Sequence, residues 1–314
     1  MTRVAIVQVP PVFLDRERTI GKAAGLVDEA VAGGAELVIF PEAFIPGYPA
    51  WIWRLRPGGD WTLSEALHGR LLDNAVDLER GDLAPLQEAA RRHRVSVVCG
   101  LNERDGRLGR ATLYNTIVVI GPDGAVINRH RKLMPTNPER MVWGFGDASG
   151  LKVVETPAGR VGTLLCWENY MPLARYALYA QGIELYIAPT YDSGDDWIET
   201  LRHIAREGCC WVLGSGTVLR VRDLPGDFPE RAGLYPEGED WINPGDSVVI
   251  APGGAIVAGP LRSEEGILQA DIDPGRVGIA RRTLDVVGHY ARPDIFTLKV
   301  DTRPQSPVDL GGEG

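Results

Sequence analysis

The feature that most constrains the fold of this chain is a series of short runs, apolar at nearly every position, recurring along its 314 residues. They fall at 4–9, 36–40, 95–100, 114–120, 161–166, 184–188, 211–215 and 247–251. A strand apolar at alternate positions buries one face, whereas a strand apolar throughout buries both. Between the runs, helical spacing of apolar residues occupies 16–32, 83–92, 173–181 and 197–207. Strands alternating with helices predict an α/β protein. Two stretches demand antiparallel pairing as well. Gly121-Pro-Asp-Gly124 joins 116–120 to 125–129, and Pro252-Gly-Gly254 joins 247–251 to 255–258. Both sequences favour tight turns, so mixed sheets are expected. The stretch 223–246, rich in Gly, Pro and acidic residues, reads as a long surface loop. From Arg303 onward no core pattern remains.

Composition narrows the partners. Hydrophobic residues at 44% and charged residues at 24% argue against extensive disorder. A formal charge of −9, with no basic cluster interleaved with aromatics to offset it, argues against nucleic acid or an anionic membrane. The first apolar run is too short for a signal peptide and reads as a strand, and no run reaches the roughly 18–20 residues of a membrane span. Cys99, Cys166, Cys209 and Cys210 show neither metal-ligand nor disulfide-framework spacing. Reduced thiols, a cytoplasmic setting and no metal are the expectation.

Three strand ends carry residues suited to chemistry. Leu37-Val-Ile-Phe-Pro-Glu42 places a carboxylate after an apolar strand, where α/β proteins build their sites. Its apolar neighbours Phe40, Phe44 and Ile45 would raise its pKa and make it a better general base. Val161-Gly-Thr-Leu-Leu-Cys166 places a thiol between a strand and a predicted helix, whose positive end would favour the thiolate. The Trp167 N–H that follows can face an anion forming on a substrate. His130-Arg-Lys132-Leu-Met-Pro135 places an ammonium after a third strand. Such a donor contributes on the order of 3 kcal/mol to a transition state. Alone, each has a plain structural explanation: a solvated carboxylate, an inert buried thiol, a lysine in a basic run. Three at three strand ends, in the order Glu, Lys, Cys, are harder to explain that way.

F-P-E-A-F-I-P-G-Y-P, H-R-K-L-M-P-T and C-W-E-N-Y-M-P resemble the three signature segments of the carbon–nitrogen hydrolase (nitrilase) superfamily, with its Glu–Lys–Cys triad. The similarity extends from residue 4 to about 301 and includes G-H-Y-A-R-P-D near the end. Cys166-Trp-Glu and P-T-N-P-E-R-M-V-W-G resemble the true nitrilase branch. The resemblance implies a four-layer α-β-β-α sandwich, with the mixed sheets that the hairpins already require. With no composition break or long flexible linker, residues 1–302 read as one hydrolase domain and 303–314 as a short disordered tail. The resemblance also implies a homodimer or larger homo-oligomer, and so short a tail puts a tail-dependent spiral in doubt. Glu139 matches a second glutamate that helps orient the lysine and the attacking water.

The expected activity is cofactor-free hydrolysis of a small nitrile. Glu42 deprotonates Cys166, Lys132 stabilises developing charge, and a thioimidate and then a thioester form. Tyr48, Trp143, Trp167, Pro189 and Thr190 adjoin the three strand ends or the neighbouring one and are candidate pocket walls. Trp51, Trp53 and Trp61 lie in a segment that folds over the site or forms a subunit contact; the sequence leaves both open. Three alternatives compete. An amidase or cyanide-hydrating enzyme of the same superfamily would share the triad. A papain-like hydrolase would need a histidine against Cys166, for which His203 is the downstream candidate. A non-catalytic interaction module would have no reason to keep Glu, Lys and Cys together.

Overall fold

A computed structural model describes residues 1–106, 109–236, 238 and 240–308. In chain order the first half holds β1 (Thr2–Gln8), α1 (Arg16–Ala32), β2 (Leu37–Ile39), α2 (Trp61–Asp73), α3 (Ala84–His93), β3 (Ser96–Arg104), β4 (Leu113–Ile120) and β5 (Val126–Arg131). The next stretch holds β6 (Val154–Thr156), β7 (Gly159–Thr163), α4 (Pro172–Tyr179), β8 (Leu185–Thr190), α5 (Asp195–Glu207), β9 (Trp211–Gly216) and β10 (Val218–Arg220). The rest comprises α6 (Arg231–Leu234), β11 (Trp241–Ile250), β12 (Ile256–Arg262), β13 (Gly266–Ile272) and α7 (Arg276–Arg281).

The strands form two sheets. One runs β13-β1-β2-β3-β4-β5 and the other β10-β11-β9-β8-β7-β6, with β12 paired to β11. Each has a parallel centre, β1-β2-β3 and β7-β8-β9, flanked by antiparallel strands. The all-apolar runs find their explanation here. Val4, Ile6, Leu37 and Ile39 of the first sheet meet Val161, Leu185, Ile187 and Leu213 of the second in a shared core. The alternate residues Ala5, Val7, Val38 and Val97 pack outward against α1 and α3. On the far side Tyr186, Ala188 and Val212 pack against α4 and α5. The order of layers is therefore α-β-β-α, with mixed sheets, as the resemblance implied.

The helix expected at 16–32 is α1, capped by the Asp15 carboxylate accepting the Arg18 N–H at 3.0 Å. Both anticipated hairpins form; in the first, Gly124 takes the positive φ of 81° that its turn requires. One expectation fails. The segment 223–246 is no continuous surface loop: α6 interrupts it, and β11 begins at Trp241, with Asn243 and Asp246 buried. Gly245 and Asp246 have φ of 101° and 82°, and the β11–β12 register shifts beside them. A bulged strand built from Pro, Gly and Asp has the composition of a loop. Of the tail, 309–314 lie outside the described residues; before them the Gln305 N–H donates to Asp147. All four cysteines are free, and Cys99 packs among the outer-layer core residues. Among the described residues no helix is long and apolar enough to cross a membrane.

Candidate active site

Three strand ends, two from one sheet and one from the other, deliver their polar residues to one place. Glu42 lies three residues past β2, and Lys132 directly follows β5, its N–H bonded to the Asn115 carbonyl at 2.8 Å. Both belong to the first sheet. Cys166 lies three residues past β7, in the second. Gly100 on β3 lets the Glu42 turn approach: a Cβ there would sit 2.2 Å from the Pro41 carbonyl oxygen.

Lys132 Nζ donates to Glu42 Oε1 at 2.9 Å and to Glu139 Oε2 at 2.7 Å. All three side chains are essentially without solvent exposure. Each carboxylate has further donors. Asn115 Nδ2 and the Tyr191 N–H donate to Glu42, both at 2.7 Å. Tyr48 Oη donates to Glu139 at 2.7 Å, and the Thr136 N–H at 2.6 Å. The cluster thus satisfies its buried charges, the condition for retaining them in a dry interior. Burial raises the Glu42 pKa above the ordinary 4.5, with Lys132 opposing it. Burial works to lower that of Lys132, yet Glu42, Cys166 and Glu139 reverse this and hold it cationic.

Cys166 differs from its expectation. The strand ends at Thr163, Cys166 opens a 3-10 turn (Cys166–Tyr170), and α4 starts only at Pro172. The positive helix end is therefore not at the thiol. Burial pushes the thiol pKa up and the neighbouring Glu42 adds to it, while Lys132 and Thr190 pull it down. That direction favours the neutral thiol, which leaves a base a proton to remove. The Cys166 φ of 49° lies in the left-handed region, a strained choice for a side chain. Asn169 secures it by donating to the Cys166 carbonyl at 2.6 Å.

A cavity of about 310 Å³ opens over these groups, and Cys166, Glu139, Tyr48 and Trp167 line it. Thr190 is adjacent beneath, its Oγ1 donating to Cys166 Sγ at 3.2 Å. Trp143 stands behind Tyr48, with ring centroids 5.5 Å apart, and donates its N–H to Asn102; it does not line the cavity. Nor does Pro189, buried in β8 opposite Ser215. A larger groove, about 840 Å³, runs from β5 to residues 302–306 and holds none of Glu42, Lys132, Glu139 and Cys166.

The tryptophan-rich segment divides three ways. Trp51 is buried in the cluster beneath the cavity, Trp53 stands at its mouth, and Trp61 opens α2 exposed to solvent. Trp53 donates its indole N–H to Tyr48 Oη at 3.0 Å. Tyr191, Asp192 and Asn243 also line the walls and were not anticipated. Tyr191 stacks on Tyr48 at 3.9 Å, and the Asp192 carboxylate accepts the Trp167 indole N–H at 2.8 Å. The first two directly follow Pro189-Thr190, so that strand end was pointing at them. Asn115 had a signal too, a polar residue inside an apolar strand. His203 sits on an open face of α5, 3.6 Å from Glu207 and away from Cys166's cavity.

The family description of carbon–nitrogen hydrolases matches residues 3–282. In solved structures, a carbon–nitrogen hydrolase from Helicobacter pylori G27 has the same fold, with a TM-score of 0.71 at 21% identity over 94% of this chain and 96% of that one. The chain belongs to the carbon–nitrogen hydrolase family. Two relatives narrow the branch. An aliphatic nitrilase of Sinorhizobium fredii strain HH103 is 43% identical, covering 98% of this chain and 97% of that protein. NIT4A of Lupinus angustifolius, a bifunctional nitrilase/nitrile hydratase, is 40% identical over 98% of this chain and 88% of its own length. Within the family, the chain stands in the nitrilase branch.

Proposed function

We propose that this chain hydrolyses an organic nitrile to the carboxylic acid and ammonia, with Cys166 as nucleophile, Glu42 as general base and Lys132 as electrostatic partner. The observation that carries the chemistry is the buried Glu42–Lys132–Glu139 cluster under a cavity lined by Cys166. The nitrile rests on the kinship with nitrilases.

Glu42 accepts the Cys166 proton as sulfur adds to the nitrile carbon, and the proton passes to nitrogen to give a thioimidate. Lys132 and the Trp167 N–H meet the charge that develops. Water, deprotonated by Glu42, adds to the thioimidate carbon. The nitrogen leaves as ammonia and a thioester remains. A second water releases the acid and restores the thiol, so two waters are consumed for each ammonia and acid formed. If the tetrahedral intermediate expels sulfur instead of nitrogen, an amide is the product. Glu139, holding Lys132 from the other side, keeps its ammonium pointed at the reacting atoms.

Cys166→Ala should release no ammonia from nitriles that the parent protein hydrolyses; retained turnover would refute the assignment. A panel of aliphatic, aromatic and arylaceto-nitriles, scored for ammonia, acid and amide, then defines the substrate class and separates a nitrilase from an amidase or cyanide-hydrating enzyme. A cytoplasmic setting suits four free cysteines. A homo-oligomer is what the resemblance to the superfamily implies, and light scattering tests it: a monomer at working concentration would refute it.

A further inference from the structure

Glu168 and His130 belong to two of the signature segments yet take no part in the chemistry above. Neither lines the cavity, and neither side chain has any solvent exposure. Glu168 Oε1 accepts the Leu133 N–H at 2.6 Å, and Oε2 accepts the Leu165 N–H at 2.7 Å. His130 Nε2 lies 3.1 and 3.2 Å from the two oxygens and donates to them. Among the described residues His130 Nδ1 has no partner, so the ring's hydrogen bonding runs through Glu168.

The positions of these donors give the contact its meaning. Leu133 follows Lys132 and Leu165 precedes Cys166. One carboxylate therefore fastens the turn leaving β5 to the turn leaving β7, across the gap between the sheets. Bonds from N–H groups to a charged acceptor are roughly twice as strong as neutral ones. Burial would push the Glu168 pKa up, but His130 and the two backbone N–H groups outweigh it and keep the carboxylate ionised. An amide could not replace it: its NH₂ would face one of the two backbone N–H donors, leaving that turn unfastened.

We propose that Glu168, braced by His130, is a positioning residue that sets Cys166 and the Trp167 N–H against Lys132. A displacement of about 1 Å between reacting groups can cost roughly a hundredfold in rate, so so short a tether has kinetic weight. The inference rests on the roles proposed for Cys166 and Lys132, but one of its readouts needs no turnover.

The test compares the parent protein with Glu168→Gln and His130→Gln, using a nitrile the parent hydrolyses and counting active protein by stoichiometric alkylation of Cys166. The expected result for Glu168→Gln is a kcat per labelled thiol at least tenfold lower, with KM changed less than threefold. His130→Gln, which leaves both backbone bonds in place, should fall at least threefold. The second readout is the alkylation rate at pH 8. A thiolate set further from Lys132 reacts at least threefold more slowly, whereas a merely loosened fold exposes the thiol and speeds the reaction. The proposal is overturned if folded Glu168→Gln keeps kcat within twofold, or if its alkylation accelerates. If Glu168→Gln does not fold, His130→Gln decides by the same criteria. Should the parent hydrolyse no nitrile, the reading of the reaction fails while the alkylation comparison still decides this one.

Discussion

Lys132→Met keeps most of the buried aliphatic stem and removes the ammonium that donates to Glu42 at 2.9 Å and to Glu139 at 2.7 Å. Two carboxylates then face one another without a cation, both side chains almost wholly buried. Removing one member of a buried ion pair costs about 3–5 kcal/mol. Unfolding entropy of about 2.1 cal/mol/K per residue gives roughly 0.66 kcal/mol/K for 314 residues, so the melting midpoint falls by about 5–8 °C. The sign of the pH dependence follows from Glu42. Its folded pKa already stands above 4.5 because burial outweighs Lys132, and without Lys132 it rises further. A carboxyl with a raised folded pKa favours the fold below its unfolded value and loses that contribution as pH rises through the folded one. The deficit of the variant is therefore smallest near pH 4.5–5 and widens toward pH 8. Thermal melts of both proteins at pH 5, 6.5 and 8 measure it. A deficit that is constant or shrinks with pH would refute the reasoning, as would a midpoint at pH 8 within a degree of the parent. Ammonia release should drop by about 100- to 1000-fold, the usual cost of losing one transition-state donor.

Two further substitutions probe the geometry. Thr190→Val keeps the shape but loses the donor to Cys166 Sγ at 3.2 Å and the acceptor of the Asp192 N–H at 2.8 Å. A net hydrogen bond is worth about 1 kcal/mol, so thiol alkylation and kcat/KM should both fall about fivefold; an unchanged alkylation rate would deny Thr190 that role. Gly100→Ala places a methyl 2.2 Å from the Pro41 carbonyl oxygen and 2.8 Å from Glu42 Cα. Overpacking of this kind costs about 1–3 kcal/mol. Melting and kcat should fall together, and a variant unchanged in both would show that the Glu42 turn tolerates displacement.

Where the sequence was readable, burial was the reason. The strands at the sheet centres are apolar throughout because one face meets the other sheet and the other face meets helices. The helix α2 was missed because its pattern is thin: only Leu67 and Leu71 are buried, and Gly69 lies between them. The strand β13 was missed because it lies at a sheet edge, with four of its first residues only half-buried. In the candidate site, residues at ends of apolar strands stood out, whereas residues supplied by bulged or irregular backbone did not. Asn243 was hidden in a loop-like composition. Trp143 and Pro189 were placed by sequence adjacency, and adjacency does not say which way a side chain points. The helix end expected at the thiol was misplaced for a related reason, since a strand-to-helix boundary read from sequence did not reveal the intervening 3-10 turn.

Glu42 and Lys132 ride on one sheet and Cys166 on the other, and the shared apolar core sets the spacing that the polar ties between the strand ends then hold. The distance between base and nucleophile is thus a property of Ile6, Ile39, Leu185 and Leu213 as much as of the polar residues themselves. A chain with only one sheet assembled carries either a thiol with no base or a base with no thiol. Turnover therefore requires both sheets closed on one another, and a nascent or partly unfolded chain, whatever the reactivity of its exposed thiol, has no catalytic site.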